Sequence, residues 1–195
     1  MAHVSYAERM PASARPGRPR ASSREAIAEA ASELFLEHGY EATSIVDITR
    51  RAGVGRSSFF NYFSSKADVL WSGFDERVTA VEALLDDAGT PVPDALGAVA
   101  AGFAPDALAL AITHAEAMGV APDLDRDRAL RQARLQRAVA ARLRRDGESV
   151  LAAEVDAAAL AAAVLAAVWA WADRSGPAVS IDGTLAEALA LARRA

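Results

Sequence analysis

The sequence predicts an all-α protein, and three observations lead to that prediction. Apolar residues recur at helical spacing along most of the 195-residue chain, capping boxes precede several of these stretches, and no run alternates as a strand would. Apolar residues make up 52% of the chain and charged residues 24%, which is enough apolar material for a hydrophobic core. A chain of this length forms one domain, or a small module joined to a larger one.

The first helix is predicted to follow a flexible arm. Residues 1–21 combine proline, glycine, serine and arginine without helical periodicity, so we expect no fixed structure there. Ser22 and Glu25 have the spacing of a capping box, and the helix that they open should end at Gly39. Its apolar residues fall on one face and its glutamates on the other, so the apolar face is free to pack against neighbouring helices.

Two short helices are predicted next. Ser44 opens a capping box with the aspartate three residues later, and Gly53 ends the helix that follows. The next segment places Phe59 and Phe63 four residues apart, hence on one buried side. Two short helices joined by a glycine-containing turn and braced by a preceding helix are the layout of a helix-turn-helix, whose second helix enters the DNA major groove. The spacing thus predicts a three-helix DNA-binding domain over residues 22–66.

The charge distribution agrees with such a domain. Residues 1–66 carry nine Lys and Arg against seven Asp and Glu, whereas residues 67–195 carry twelve against nineteen. The formal net charge of the whole chain is −5, but the asymmetry between its parts bears on nucleic-acid binding more than the total does. Residues 1–66 therefore carry a net positive charge and residues 67–195 a net negative charge.

An enzyme is the alternative from another class. The three histidines are His3, His38 and His114, and no His-x-x-x-His pair, G-x-S-x-G elbow or phosphate-binding glycine pattern accompanies them. We therefore expect no catalytic residue, no metal and no cofactor. Cysteine is absent and the first twenty residues lack the apolar segment of a signal peptide, so we expect a cytoplasmic protein.

Residues 67–195 are predicted to form a second, helical domain. A long helix should begin at a third capping box, opened by Ser65, and run to about Asp87, which makes it a lever between the two domains. Trp71 and Phe74 are expected to seal the junction as core residues, with contact to a ligand as the alternative. Further helices are expected over residues 93–102, 106–119, 124–146, 155–174 and 181–194.

Residues 157–172 form an uncharged run of 16 positions. The run is short for a bilayer and rich in weakly apolar alanine, so we expect no membrane partner. A helix that is apolar on every side must bury every side, here with one stripe through Leu160 and Val164 and another through Leu165 and Trp169. One side can meet the core of the domain and the other a second subunit.

Eight arginines lie between Arg126 and Arg145, with aspartates beside them. One interpretation is a solvated helix face with ion pairs, and another is an anion-binding wall. A third is that Arg131 or Arg134 pairs with an anionic group of a ligand at the mouth of a pocket.

The segment GYEATSIVDITRRAGVGRSSFFNYFSSK, residues 39–66, resembles the signature of TetR-type transcriptional regulators. The similarity extends from Ser22 to about Leu70, and the rest of the chain agrees with that family in length and helical character. The resemblance implies a repressor that binds an inverted-repeat operator in double-stranded DNA as a homodimer, with the last two helices as the dimer interface. It also implies a small-molecule effector, apolar or amphipathic. A constitutive repressor or an architectural protein without an effector is the alternative.

The resemblance also implies which residues contact DNA. Arginine can grip a guanine edge with two hydrogen bonds, asparagine can do so with adenine, and hydroxyls and ammonium groups fix phosphates. The implied contacts are Ser44, Arg56, Ser57, Ser58, Phe60, Asn61, Tyr62 and Lys66, together with Arg18 of the arm. Arg18 and its neighbouring arginines are expected to lie in the minor groove, or else to add only nonspecific electrostatic affinity.

Two positions depart from the family's pattern. Gly55 stands where the family usually has a helix-capping serine or threonine, and glycine caps only slightly worse. Phe60 stands where it usually has a tyrosine, so a phosphate contact through that hydroxyl is lost. Phe60 then packs, or touches a thymine methyl.

The effector is expected to bind beside the long helix in a mostly apolar pocket. Candidate lining residues are bulky or adaptable and fall on faces that should converge: Phe74, Val78, Phe103, Leu110, His114, Met118, Leu135 and Trp169. Each of them is alternatively a plain core residue. The segment VLWSGFD, residues 69–75, also resembles some actinobacterial members of the family, including regulators of the mycofactocin type, which implies a lipid-like or acyl-CoA effector.

Overall fold

The computed structural model describes residues 23–103, 106–174 and 180–194. Every regular element in these ranges is helical, which confirms the all-α prediction. The α-helices are α1 Ser23–His38, α2 Ile45–Ala52, α3 Arg56–Tyr62, α4 Lys66–Asp86, α5 Val92–Gly97, α6 Ala107–Thr113, α7 Ala115–Met118, α8 Ala121–Arg145, α9 Val150–Arg174 and α10 Ile181–Ala192, and a 3-10 turn, Ala98–Ala100, follows α5. The predicted arm, Arg18 and the Ser22 cap lie outside the described residues.

Helices α1 to α3 surround a small apolar core. Ile27 and Phe35 of α1, Ile48 of α2 and Phe59 of α3 are fully buried, so each helix turns one face toward the other two. The ring of Phe35 also meets that of Tyr40 edge-on, with the two centroids 4.9 Å apart. This arrangement is the helix-turn-helix that the sequence predicts.

The ends of α2 are fixed by local hydrogen bonds. The Ser44 hydroxyl accepts the amide N–H of Asp47, whose carboxylate accepts the amide N–H of Ser44, so the predicted capping box is confirmed. At the other end Gly53 has a φ of 69°, a left-handed conformation that glycine adopts without strain. The turn between α2 and α3 therefore has a defined geometry, which sets the direction in which α3 leaves.

Helix α4 joins the helix-turn-helix to the remaining helices. Its predicted apolar stripe is buried throughout: Leu70, Phe74, Val78, Val81 and Leu85. Trp71 and Phe74 are fully buried against each other, with ring centroids 5.9 Å apart, as expected of core residues at the junction. The helix packs against α1 on one side and α8 on the other, so a movement of α8 would be transmitted along it.

Helix α9 is the central helix of the second domain and packs against α6, α8 and α10. Its residues Val150–Asp173 have a mean hydropathy of 1.9, which is apolar enough for a membrane span by length and composition alone. Its predicted stripes, however, are both packed inside the protomer, since Val164 and Leu165 are fully buried. The side that remains open carries chiefly alanines, so α9 is a core helix with one open face of small side chains.

Several helix boundaries differ from the sequence prediction. The helix predicted over 106–119 is interrupted at His114, whose ψ of 26° departs from helical geometry, and so divides into α6 and α7. Helix α8 begins at Ala121 because the proline after it fits the first helical turn. Helix α9 begins earlier than expected, with the Ser149 hydroxyl accepting the amide N–H of Ala152. Helix α5 is shorter than expected because its last turn tightens into the 3-10 turn.

Several arginines of α8 form ion pairs within the protein. Arg131 forms a two-pronged ion pair with Asp75 of α4, at 2.6 and 2.9 Å. Arg134 does the same with Glu82. Both carboxylate partners lie within the chain, which agrees with the interpretation of a helix face with ion pairs. Arg142 is not on a solvated face either, since only 6% of its side chain is exposed.

Candidate nucleic-acid interface and adjoining cavity

Helix α3 is held by two phenylalanines that point into the core. Phe59 is fully buried and Phe63, which caps the helix, is 3% exposed. The opposite face is open to solvent at Arg56, Ser57, Phe60, Asn61 and Tyr62, while Ser58 is half-buried. The predicted DNA-contacting residues of this helix therefore lie together on one surface, with hydrogen-bond donors and acceptors directed outward.

The Arg56 guanidinium lies over the Phe60 ring, 5.6 Å from its centroid. The Phe60 ring in turn meets the buried Phe59 edge-on, with centroids 5.4 Å apart. Phe60 is nevertheless 47% exposed, a large apolar area at the surface. This stacking limits the directions in which Arg56 can extend, since a guanidinium over an aromatic face is attracted by the ring's quadrupole.

Helix α2 packs against α3, and Ser44 at the N-terminus of α2 is exposed. Its hydroxyl both accepts the Asp47 amide N–H and donates to the Asp47 carboxylate. Hydrogen bonds from the Ser44 hydroxyl and the Ser44 amide N–H lower the pKa of Asp47, because the carboxylate is the form that accepts them. The N-terminus of α3 differs, because Gly55 supplies no side-chain hydrogen bond to it. The departure from the family's pattern at Gly55 therefore leaves that end uncapped by a side chain.

Lys66 is directed into the protein. Its ammonium group donates to the carbonyl oxygen of Tyr40 over 2.7 Å and lies 4.4 Å from the centroid of the Tyr40 ring. This contact joins the start of α4 to the loop after α1. No local sequence pattern indicates this contact, because it spans 26 residues of chain. A phosphate contact by Lys66 remains a prediction.

Basic residues on α2 are also engaged in ion pairs. Arg51 bridges Glu33 and Glu37 of α1, with its shortest contact at 2.6 Å to Glu37. Arg50 pairs with Asp47 at 3.2 Å but keeps 74% of its side chain exposed. Arg51 thus fastens α2 to α1, whereas Arg50 remains largely in solvent. The expected set of DNA contacts did not include Arg50.

A cavity of about 460 Å³ lies beside this module, between α1, α6 and the end of α9. Its walls are formed by Ala28, Glu29, Ser32, Asp106, Ala107, Ala109, Leu110, Thr113, His114, Trp171 and Ala172. Leu110 and His114 belong to the predicted pocket lining. The other lining residues were missed because they come from helices far apart in the sequence, and no local pattern brings them together.

The remaining predicted lining residues lie elsewhere. Phe74, Val78, Met118 and Leu135 are at most 1% exposed and belong to the packed core. Trp169 packs against Trp71, with ring centroids 5.9 Å apart. The Arg128 guanidinium lies over the Trp169 ring, 4.4 Å from its centroid. Phe103 meets the Trp171 ring edge-on at 5.0 Å. The predicted set is therefore divided between the core, the cavity and the layer behind it.

Comparisons with known proteins agree with the geometry of the module. The sequence model of the bacterial regulatory proteins of the tetR family matches residues 27–71, from α1 into α4. Over these residues the chain is similar to the TetR family. The members of this family are transcriptional regulators and not enzymes.

Two relatives of this protein come from mycobacteria. It is 36% identical over 96 residues to the putative mycofactocin biosynthesis transcriptional regulator MftR of Mycobacterium tuberculosis, which is 48% of each chain. It is 34% identical over 76 residues to the HTH-type transcriptional repressor DhaR of Mycobacterium sp. strain GP1, covering 37% of this chain and 38% of DhaR. The chain thus spans no more than about half the length of these curated relatives.

A solved structure extends the similarity over most of the chain. It is FadR of Thermus thermophilus, a TetR-family repressor determined in complex with lauroyl-CoA, which is 28% identical with a TM-score of 0.52. The alignment covers 87% of this chain and 93% of FadR. The helical second domain therefore has the fold of the family as well.

Proposed function

We propose that this protein is a transcriptional repressor that binds an inverted-repeat operator as a homodimer. The observation that carries the proposal is the outward face of α3, where Arg56, Asn61 and Tyr62 are exposed while Phe59 and Phe63 anchor the helix. Arginine and asparagine are the side chains that read guanine and adenine edges in the major groove. Two copies of one such helix related by a twofold axis require a twofold site.

The open sides of α9 and α10 support a dimer. On α9 the open stripe consists of the exposed Val155 and Ala166 and the half-buried Ala159 and Ala162. The small alanine side chains allow a partner helix to approach closely. On α10 Leu191 is 58% exposed. Contiguous apolar surface on two neighbouring helices is typical of a subunit interface. We propose that four helices, two from each protomer, form this interface.

A small-molecule effector completes the proposal. FadR of Thermus thermophilus binds lauroyl-CoA, and MftR belongs to a mycobacterial biosynthetic system, so a small metabolite is the expected signal. Such a ligand weakens operator binding only by the difference between its affinities for the two conformations of the dimer. A cytoplasmic location follows from the proposed target, since the operator is chromosomal DNA. A constitutive repressor without an effector is the competing function.

Selection of bound sequences from a random DNA library tests this proposal. The full chain, purified without nucleic acid, should enrich an inverted repeat whose half-sites lie about one helical turn apart. An enriched site without twofold symmetry, or no enrichment over several rounds, would overturn the proposal. A matched library selected with Phe59→Ala, which removes the anchor of α3, should enrich nothing.

A further inference from the structure

The cavity between α1, α6 and α9 lies where the two domains meet. Helix α1 belongs to the helix-turn-helix and forms one wall through Ala28, Glu29 and Ser32. Helix α6 and the last turns of α9 form the other walls. Its volume, about 460 Å³, falls within the range of small-molecule sites. An occupant would therefore touch both domains at once.

The floor of the cavity is apolar. Leu110 of α6 is partly buried, and Trp171 and Ala172 of α9 are each 2% exposed. The Thr113 hydroxyl does not make this floor polar, because it donates to the carbonyl oxygens of Ala109 and Ala172 within the protein. A ligand for this floor needs an apolar body.

Two carboxylates, those of Glu29 and Asp106, stand at the rim, and His114 also lines the cavity. Asp106 caps α6 with one carboxylate oxygen, which accepts the amide N–H groups of Leu108 and Ala109. Glu29 is exposed, and its carboxylate has no hydrogen bond or ion pair in the described part of the chain. Burial raises the pKa of Asp106, because a desolvated carboxylate is disfavoured in its charged form. A positive charge beside these groups would stabilise both carboxylates.

Among the described lining residues Glu29 has no basic partner, whereas Asp106 lies near Arg77, whose positive charge lowers the pKa of Asp106 against the larger effect of burial. Arg24 and Arg77 line the neighbouring groove, and both also bind other groups. Arg24 pairs with Glu76, and Arg77 donates to the carbonyl oxygens of Gly73 and Gly102. An anionic ligand such as an acyl-CoA would thus meet negative charge at this rim.

We propose that this cavity binds a hydrophobic cation, an amine or quaternary ammonium compound with an aryl or short alkyl body. The apolar part would rest on Leu110 and Trp171, and the cationic group would lie at the rim beside Glu29 and Asp106. The regulatory consequence rests on the proposed function: because α1 moves with the recognition helix, an occupied cavity favours one spacing of α1 from α6 and hence one presentation of α3.

Calorimetric titration with three matched probes tests the ligand class. The probes 4-phenylbutylamine, 4-phenylbutanol and 4-phenylbutyrate share one apolar body and differ in charge. The amine should bind at least tenfold more tightly than the alcohol, and the acid should bind most weakly. Equal affinity for the amine and the acid, or tighter binding of the acid, would overturn the proposal.

Variants locate the site. Glu29→Gln should lower the affinity for the amine at least threefold and leave the affinity for the alcohol unchanged. The control is Glu148→Gln, which removes an exposed charge from the loop before α9 and should change neither affinity. Ser32→Phe should abolish binding of both probes by filling the cavity, with circular dichroism confirming that the protein remains helical. Unchanged amine affinity in Glu29→Gln, or in a folded Ser32→Phe, places the amine elsewhere and refutes this site.

The same titration in the presence of selected operator DNA separates the two proposals. Operator should change the amine's affinity by the same factor by which the amine changes the operator's affinity. If the library yields no operator while the amine binds as described, the proposed function fails and the cation site stands. If an operator is found and the amine does not bind, the cation site fails alone. Equal amine affinity with and without operator refutes the coupling.

Discussion

Tyr40 forms hydrogen bonds to both domains through its backbone. Its carbonyl oxygen accepts a hydrogen bond from the Lys66 ammonium over 2.7 Å. Its amide N–H donates to the carbonyl oxygen of Met118, also over 2.7 Å. Burial raises the pKa of Tyr40 to about 12, with the carboxylates of Asp123 and Asp127 adding to the effect. The phenol is therefore neutral at physiological pH. Through this one residue the loop after α1 contacts the start of α4 and the end of α7.

Lys66→Ala should lower the free energy of unfolding by about 1–2 kcal/mol, because Tyr40 loses a charged hydrogen-bond donor and a cation over its ring. Urea denaturation measures this loss. Arg50→Ala is the matched control, since an exposed surface ion pair contributes no more than about 0.5 kcal/mol to the free energy of unfolding.

Lys66→Ala should also weaken binding to all DNA sequences alike and reduce the salt dependence of binding by about one phosphate contact. An unchanged salt dependence would show that Lys66 contacts only Tyr40 in the loop after α1 and makes no phosphate contact.

Arg56→Ala should cost about 1–3 kcal/mol in operator binding and relax the preference at one base pair of each half-site. The physical reason is the loss of a two-pronged contact to a base edge, which a phosphate contact would not reproduce. Competition binding against a set of single-base operator variants measures both effects. An equal loss on operator and random DNA would contradict this role for Arg56.

The helix-turn-helix was predictable because the signals for its elements are local. A cap such as Ser44 acts on a residue three positions away, and Phe59 and Phe63 share a face by helical spacing alone. Contacts between distant helices left no such pattern. Glu29 and Trp171 line one cavity from α1 and α9, and Arg142 reaches the end of α4, so each depends on how whole helices pack.

The capping box at α2 should make stability depend on acidity. The Asp47 pKa is lowered by hydrogen bonds from Ser44, so this stabilisation is fully present above the carboxyl's ordinary pKa of 3.8 and is lost as the pH falls through the lowered value. Denaturant midpoints measured from neutral pH down into this acidic range should therefore fall more steeply for the native protein than for Asp47→Asn. Parallel curves for the two proteins would show that the carboxylate contributes nothing through its ionisation.

Arg142 should be the arginine of α8 that matters most for stability. Its guanidinium donates to the carbonyl oxygens of Leu85, Asp87 and Ala88 and pairs with Asp146, so it closes the C-terminal end of α4. Arg142→Met should lower the free energy of unfolding by about 3 kcal/mol, because buried acceptors lose their donors. The exposed Arg137, changed to Met, should alter it by no more than about 0.5 kcal/mol. Comparable losses in the two variants would show that this end of α4 is satisfied by other groups.

The open stripe of α9 should decide the oligomeric state. A carboxylate placed in a closely packed apolar interface loses its hydration without gaining a partner, so Val155→Asp combined with Ala166→Asp should separate the protomers. Leu130→Asp, at a residue of α8 that is 61% exposed, is the matched control and should leave the dimer intact. Light scattering should report twice 20.4 kDa for the native protein and for the control, and 20.4 kDa for the double variant. The separated protomers should also lose most of their affinity for the inverted repeat, because each then binds a single half-site. A double variant that remains dimeric would place the interface on another surface.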